Sequence, residues 1–212
     1  MTMNIGIIGS GKMGAGLGKI WANKGHTVIF SFSRNQVKLN DLAATVPHAR
    51  AGTPAEAAAR SEVILLATRW PDVPDALRQA GTLHGKVVID CTNPLTADLS
   101  GLSLGFTTSA AEEIAGMAPG ARVVKAFNTA FAQVYEEENR LFGSRRVTMF
   151  FCGDDADAKA AVSKLIHDVG FDPIDCGPLT AARYLEPLAM LVISLGYSHG
   201  MGTNFAVSLI RR

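Results

Sequence analysis

Cysteine is scarce in this chain, and its three copies, Cys91, Cys152 and Cys176, lie far apart, each in or beside an apolar strand-like run. An odd number at such spacing gives neither a disulfide framework nor a zinc site; free thiols buried in a reducing compartment are expected. Excess charge is missing too, because 20 Lys and Arg against 19 Asp and Glu leave a formal net charge of +1. That balance argues against a nucleic-acid or membrane-surface partner. The apolar run 188–197 is too short to cross a bilayer and is broken by Ser194 and Gly196. The chain enters an apolar strand pattern almost at once, with no signal-peptide pattern before it, so a cytoplasmic protein is expected. No Ser-His-Asp order, metal-ligand spacing or paired carboxylate motif stands out, and no metal is expected. One further absence matters most: no acidic residue occurs before Asp41.

What is present is ample core material, 48% hydrophobic over 212 residues, enough for one large domain or a domain with a small appendage. The stretch from Asn4 to Leu17 organises the rest. It reads as an apolar strand, a glycine turn and a helix, with Gly9, Gly11 and Gly14 in the G-x-G-x-x-G pattern. Gly9 permits the tight turn, Gly11 lets the backbone approach a pyrophosphate, and Gly14 lets the helix pack close to its strand. Ser10, Lys12 and Met13 complete the loop and the helix entrance, where free N–H groups and the positive dipole end favour phosphate. A purely structural glycine turn is the alternative.

Strand and helix patterns then alternate. Strands are expected at 4–8, 27–31, 62–67, 86–90, 122–126 and 148–152, and helices near 13–23, 37–45, 54–60, 73–80 and 109–115. Continuous apolar strands such as Val63-Ile-Leu-Leu-Ala67 suit a sheet covered on both faces. The fold class is therefore α/β, a doubly wound, mostly parallel Rossmann sheet with a small, largely helical C-terminal extension. The expected division is 1–147 for the dinucleotide-binding domain and 148–212 for an extension completing the substrate pocket. Within the extension a helix over 158–169, a strand at 173–175 and a helical tail to Arg212 are expected. The triplet Glu136-Glu137-Glu138 reads as a solvated helix face or loop.

The second strand decides which dinucleotide. An NAD site usually places a carboxylate there for the ribose 2′-hydroxyl. This chain has Ser31-Phe32-Ser33-Arg34-Asn35 instead, with Lys38 a helical turn later. Hydroxyls on Ser31 and Ser33 and the guanidinium of Arg34 suit a 2′-phosphate, so NADP(H) is the expected cofactor. Ser33 as the cap of the following helix is compatible with that reading.

The segments Ile5–Gly14, Ser31–Asn35, Phe151-Cys-Gly-Asp-Asp155, Asp175-Cys-Gly-Pro-Leu179 and Tyr184-Leu-Glu-Pro187, with Gly200-Met-Gly202, resemble the NADP oxidoreductases that depend on coenzyme F420. The likeness covers essentially the whole chain. The N-terminal half is also similar to pyrroline-carboxylate reductases, β-hydroxyacid dehydrogenases and the cytosolic domain of membrane-bound metalloreductases, the last especially at Lys125-Ala-Phe-Asn-Thr129. The resemblance implies hydride exchange between NADPH and a deazaflavin, coenzyme F420, as co-substrate under the C-terminal tail. Other readings are an NADPH-dependent reductase of a flavin, a quinone or another small acceptor, and a non-catalytic NADP-binding module.

Further site residues are expected at strand carboxyl ends. Thr68, Arg69 and Trp70 should border the cofactor, although Trp70 equally suits the edge of the core. Asn93 opens an Asn-Pro turn that either contacts the cofactor or merely turns the chain. Asn128 follows another strand, and the resemblance implies that the backbone from Thr129 to Ala132 receives the nicotinamide carboxamide. Small side chains at Ala130 and Ala132 would leave room for a stacked ring. Gly200, Met201 and Gly202 either offer backbone N–H groups to the deazaflavin or break a helix. No acid or base is assigned; among the dispersed histidines only His199 is a candidate for substrate contact. The apolar tail residues Leu188, Met190, Leu191, Ile193 and Leu195 point to a homodimer.

Overall fold

The computed structural model describes residues 2–137, 140–210 and 212. The chain runs β1 (Asn4–Ile8), α1 (Lys12–Asn23), β2 (Thr27–Ser31), α2 (Gln36–Ala44), β3 (Ala49–Ala51), α3 (Pro54–Arg60), β4 (Val63–Leu66), α4 (Val73–Ala80), β5 (Val87–Asp90), α5 (Ala110–Met117) and β6 (Arg122–Lys125). There follow the short hairpin β7 (Leu141–Phe142) and β8 (Arg145–Arg146), then β9 (Thr148–Gly153), α6 (Ala156–Val169), β10 (Asp172–Asp175) and α7 (Ala182–Ile193). Eight strands form one sheet in the order β10-β9-β6-β5-β4-β1-β2-β3. Every pairing in it is parallel except β6 with β9. The expected boundary at 147/148 thus falls at an antiparallel join within a continuous sheet.

Each face of the sheet carries its own apolar layer. One holds Trp21, Phe30, Phe127 and Phe171 beneath α1 and α6; the other holds Ile64, Leu66, Val88 and Ile114, covered by α4, α5 and α7. Both-face burial explains why β4 is apolar at every position. Trp21 is fully buried and donates its indole N–H to the Leu165 carbonyl at 3.0 Å, joining α1 to α6. His26 is buried as well, accepting from the Met3 N–H and meeting Asp168 at 3.1 Å, a structural role.

Helix starts follow local chemistry. Thr53 and Glu56 form a reciprocal capping box on α3, with Pro54 inside the first turn. Asn35, not Ser33, caps α2 by accepting from the Lys38 N–H at 3.0 Å. The Ser33 hydroxyl instead exchanges hydrogen bonds with the backbone of Asn35.

Three expectations are corrected. The strand β3 and the β7–β8 hairpin were not expected; at three and two residues per strand they are too short to show a period. The tail is not helical to its end. A π-helical turn, Ser194–Ser198, follows α7, and no regular element follows it among the described residues. Gly200 and Gly202 take positive φ, 71° and 73°, and the chain then runs back beside β9, where Val207 and Leu209 hydrogen-bond to Thr148. The helical run Leu179–Ser198 is also longer than the apolar stretch read from sequence: its 20 residues, mean hydropathy 1.2, are enough by length and composition to cross a membrane. Glu186, fully buried in an ion pair with the sheet, places that helix against the core. Glu136 and Glu137 are exposed beyond a 3-10 turn at Ala132–Tyr135, while Glu138 lies outside the described residues.

Candidate functional site

The carboxyl ends of β1, β2, β4, β5 and β6 share one edge of the sheet, and the glycine turn sits at its centre. Gly9 has φ of 109°, and a Cβ there would lie 2.5 Å from the Ala67 carbonyl oxygen. A Cβ on Gly14 would lie 2.0 Å from the Gly9 carbonyl oxygen. Both glycines are required by the fold itself. Gly11 differs: its backbone is extended at φ −73°, and nothing lies within 4 Å of where its Cβ would stand. The protein leaves open space there, directly before the N–H groups that open α1.

A cavity of about 980 Å³ extends from this turn toward β3 and α3, lined by Gly9, Gly11, Ser33, Arg34, Thr68 and Arg69 among others. Two guanidinium groups meet on one carboxylate at its rim. Arg34 reaches Asp72 at 3.4 Å and Arg69 reaches it at 3.1 Å. The Arg34 side chain is 80% exposed, so a ligand phosphate can approach it from solvent. Lys12 and Lys38 line an adjoining cavity of about 710 Å³ that shares Ser10 and Gly11 with the first.

Ser31 does not present its hydroxyl to a ligand. It is fully buried, and its Oγ donates to the Ile7 carbonyl at 2.8 Å. Its carbonyl holds the glycine turn by accepting from the Gly9 N–H and the Ser10 hydroxyl. The strand alternates faces, which turns this side chain inward and leaves Ser33 and Arg34 beyond the strand end. Trp70 is half-buried against the second apolar layer, and Met13 packs on the first.

A second group of residues lies at the ends of β5 and β6. Asn93 and Asn128 pair through their side chains at 3.1 Å, and Asn128 also donates to the Leu185 carbonyl on α7 at 3.0 Å. Thr129 and Ala130 are buried beside them, with Ala132 half-buried. Phe131 meets the tail, its ring centroid 5.6 Å from that of Tyr197 and 5.5 Å from that of Phe205, both edge-on. Thr68 Oγ1, Thr92 Oγ1 and Asn128 Oδ1 are buried polar atoms without a hydrogen-bond partner. They follow three neighbouring strands, β4, β5 and β6, at the ligand-facing edge of the sheet. Unpartnered buried oxygens are costly, and a polar ligand at that edge would satisfy them. Sequence reasoning missed Thr92.

Of the two readings of the Gly-Met-Gly stretch, the structure shows the helix break. The N–H groups of Met201 and Gly202 are taken by the carbonyls of Leu195 and Gly196 at 3.1 Å each. They close the end of the helical run, so they are not free for a deazaflavin; His199, Gly200, Met201 and Gly202 are all exposed.

Beneath this edge lies a charged cluster that sequence reasoning did not assemble. Lys125 is fully buried, with its Nζ 2.8 Å from Asp90 Oδ2, 2.8 Å from Glu186 Oε1 and 2.6 Å from the Thr92 carbonyl oxygen. Glu186 also accepts from the N–H groups of Ala110 and Ala111, the first residues of α5. Burial draws the Lys125 ammonium down, and its two carboxylate neighbours draw it back above the ordinary lysine value. Burial raises the Glu186 carboxyl against the opposing pull of Lys125. Cys91 is pushed up to about 12, first by burial and then by the Asp90 charge, so it is a packed thiol and not a nucleophile. Among the described residues no group of three His, Cys, Asp or Glu side chains is arranged to hold a metal ion.

The open Gly11, the α1 N-terminus and the paired arginines fit a dinucleotide carrying an additional phosphate on its adenosine. The comparisons agree with this geometry. Residues 4–94 match the model of the family described as NADP oxidoreductase, coenzyme F420-dependent. The F420-dependent NADP reductase of Methanothermobacter marburgensis is 30% identical over 210 residues, covering 91% of this chain and 92% of that protein. Metalloreductase STEAP3 of Rattus norvegicus is 31% identical over 189 residues, 89% of this chain, but the match spans only 37% of that longer protein. A crystal structure from Arthrobacter sp. FB24, described as a candidate F420-dependent NADP-reductase, superposes with a TM-score of 0.86 at 30% identity over 98% of this chain and all of the other. A reductive aminase from Aspergillus terreus in complex with NADPH shares the fold, with a TM-score of 0.69 at 22% identity over 94% of this chain and 64% of the other. The chain belongs to the family of F420-dependent NADP oxidoreductases.

Proposed function

We propose that this protein transfers hydride between NADP(H) and coenzyme F420. The observation that carries the cofactor choice is the tip of β2, where Ser33 and Arg34 stand in place of a carboxylate and Arg69 approaches from the loop after β4. Bound nicotinamide and deazaflavin rings supply the hydride donor and acceptor themselves. The chain's own part is placement. The α1 N-terminus and open Gly11 seat the pyrophosphate, and Arg34 with Arg69 grips the 2′-phosphate. Thr68, Thr92 and Asn128 offer their unpartnered oxygens to the nicotinamide half. Residues 148–212 complete the pocket, and Phe205 and Tyr197 join the tail to Phe131 edge-on. Orientation of two stacked rings carries the hydride step, and the proton that the reduced deazaflavin takes up is assigned to no residue of the protein.

We also propose a cytoplasmic homodimer. Tyr184, Leu191 and Tyr197 on the α7 side are 76%, 56% and 64% exposed, an apolar face that a second copy would cover.

Steady-state oxidation of NADPH with F420, FMN and quinones tests the reading. Turnover with F420 in preference to the others supports it. Turnover with FMN or quinone but not F420 would favour the flavin or quinone reductase reading, and tight NADPH binding without turnover would favour a binding module.

A further inference from the structure

The buried cluster around Lys125 is a poor device for stability alone. Removing charges from water costs more than their mutual attraction returns unless geometry is near ideal, and apolar side chains of similar size hold a core together as well. What ionic links provide is registry, because each fixes a distance and a direction. Here they run between elements: Asp90 ends β5, Lys125 ends β6, Glu186 lies on α7, and Glu186 also holds the first N–H groups of α5.

The neighbours of the cluster lie at the ends of β5 and β6. The Thr92 carbonyl accepts from Lys125, and its hydroxyl is one of the unpartnered buried oxygens. Leu185, beside Glu186, offers its carbonyl to Asn128, whose Oδ1 is another. One set of bonds therefore fixes both α7 and these unpartnered polar groups.

We propose that Lys125 and Glu186 are positioning residues for hydride transfer: with Asp90 they set where α7 sits over the strand ends, and so the gap between nicotinamide and its redox partner. This rests on the functional reading above. Neither residue touches substrate; each acts through the seat of the tail and the orientation of Thr92 and Asn128. Adenosine and pyrophosphate binding, at Gly11, Arg34 and Arg69, lies on the other half of the sheet edge and is independent of the cluster.

The test is the full-length triple variant Asp90→Asn, Lys125→Met, Glu186→Gln. It removes all three charges but keeps amide oxygens to accept from the Thr92 and Ala110 N–H groups. Melting temperature, NADPH dissociation constant and F420 turnover are measured beside the parent protein. The expected result is a melting temperature close to the parent's and at most a several-fold loss of NADPH affinity, with kcat for F420 reduced about tenfold or more, as misplacement of reacting rings predicts. Glu186→Gln alone, which still accepts from Lys125, is expected to retain the fold and lose less activity than the triple variant. Undiminished F420 turnover in a folded triple variant overturns the proposal while leaving the functional reading intact. Failure of both variants to fold also overturns it, since the cluster would then be an ordinary stabiliser. No F420 turnover in the parent removes the functional reading and this inference together.

Discussion

Gly11→Ala separates what the fold needs from what the ligand needs. Gly11 lies at φ −73° and ψ −169°, a conformation alanine adopts freely, and its Cβ would meet nothing within 4 Å. Reduced freedom of the unfolded chain favours the variant by about 0.4–1 kcal/mol. Alanine is a weaker N-cap than glycine by a similar amount. These terms offset each other, so the melting temperature should move by no more than about 4 °C for a chain of this size. Ligand binding has no such compensation. The added methyl stands where the pyrophosphate must approach the α1 N–H groups, and each charge-assisted hydrogen bond lost costs about 1.5–3 kcal/mol. Loss of two such bonds weakens NADPH binding by at least about a hundredfold. Thermal unfolding and a fluorescence titration with NADPH read the two effects separately. Binding within threefold of the parent, or a variant that fails to fold, would refute the assignment of Gly11 to the ligand.

The remaining predictions concern cofactor choice, packing, pH and assembly. Arg34→Asp should sharply weaken NADPH binding and leave NADH binding unchanged or improved, measured as KM for each; equal losses would contradict a 2′-phosphate site at this corner. Gly14→Ala, whose Cβ would lie 2.0 Å from the Gly9 carbonyl oxygen, should lower the melting temperature as well as NADPH affinity, in contrast to Gly11→Ala. Stability should fall as pH rises above about 8.5, the ordinary thiol value. Cys91 and Cys152 are each raised to about 12 in the folded protein, so their contribution is complete below the unfolded value and lost toward the folded one. Thermal melts from pH 7 to 11 check this, and Cys152→Ala should flatten the decline. Leu191→Glu should shift the mass in solution from dimer to monomer, as read by light scattering.

Much of the fold was legible because its signals are local. The β1–turn–α1 unit carries its own glycine spacing, and the strands β4 and β5 are buried on both faces and read as apolar runs. The missing carboxylate at the end of β2 was equally visible. Ser31 was misread because a serine at a strand end gives no sign of which face it occupies, and here it faces the Ile7 carbonyl. Met201 and Gly202 carried two readings because sequence does not say which acceptors their N–H groups will find, and here they end the helical run. The Lys125 cluster was invisible for another reason: Asp90 and Lys125 become neighbours through the β5–β6 register, and Glu186 joins them only when α7 packs on the sheet. The available hint was charge inside apolar strands, Asp90 after Val87-Val-Ile and Lys125 after Val123-Val. A buried charge requires a partner, so each of these residues implies one.

NADPH labelled with deuterium at the transferring C4 position distinguishes direct hydride transfer to a deazaflavin from the other outcomes. Direct transfer predicts that the label is recovered in reduced F420 under single turnover and that NADH donates far more slowly. Label released to solvent or passed only to a flavin or quinone, or equal rates with NADH, would contradict it.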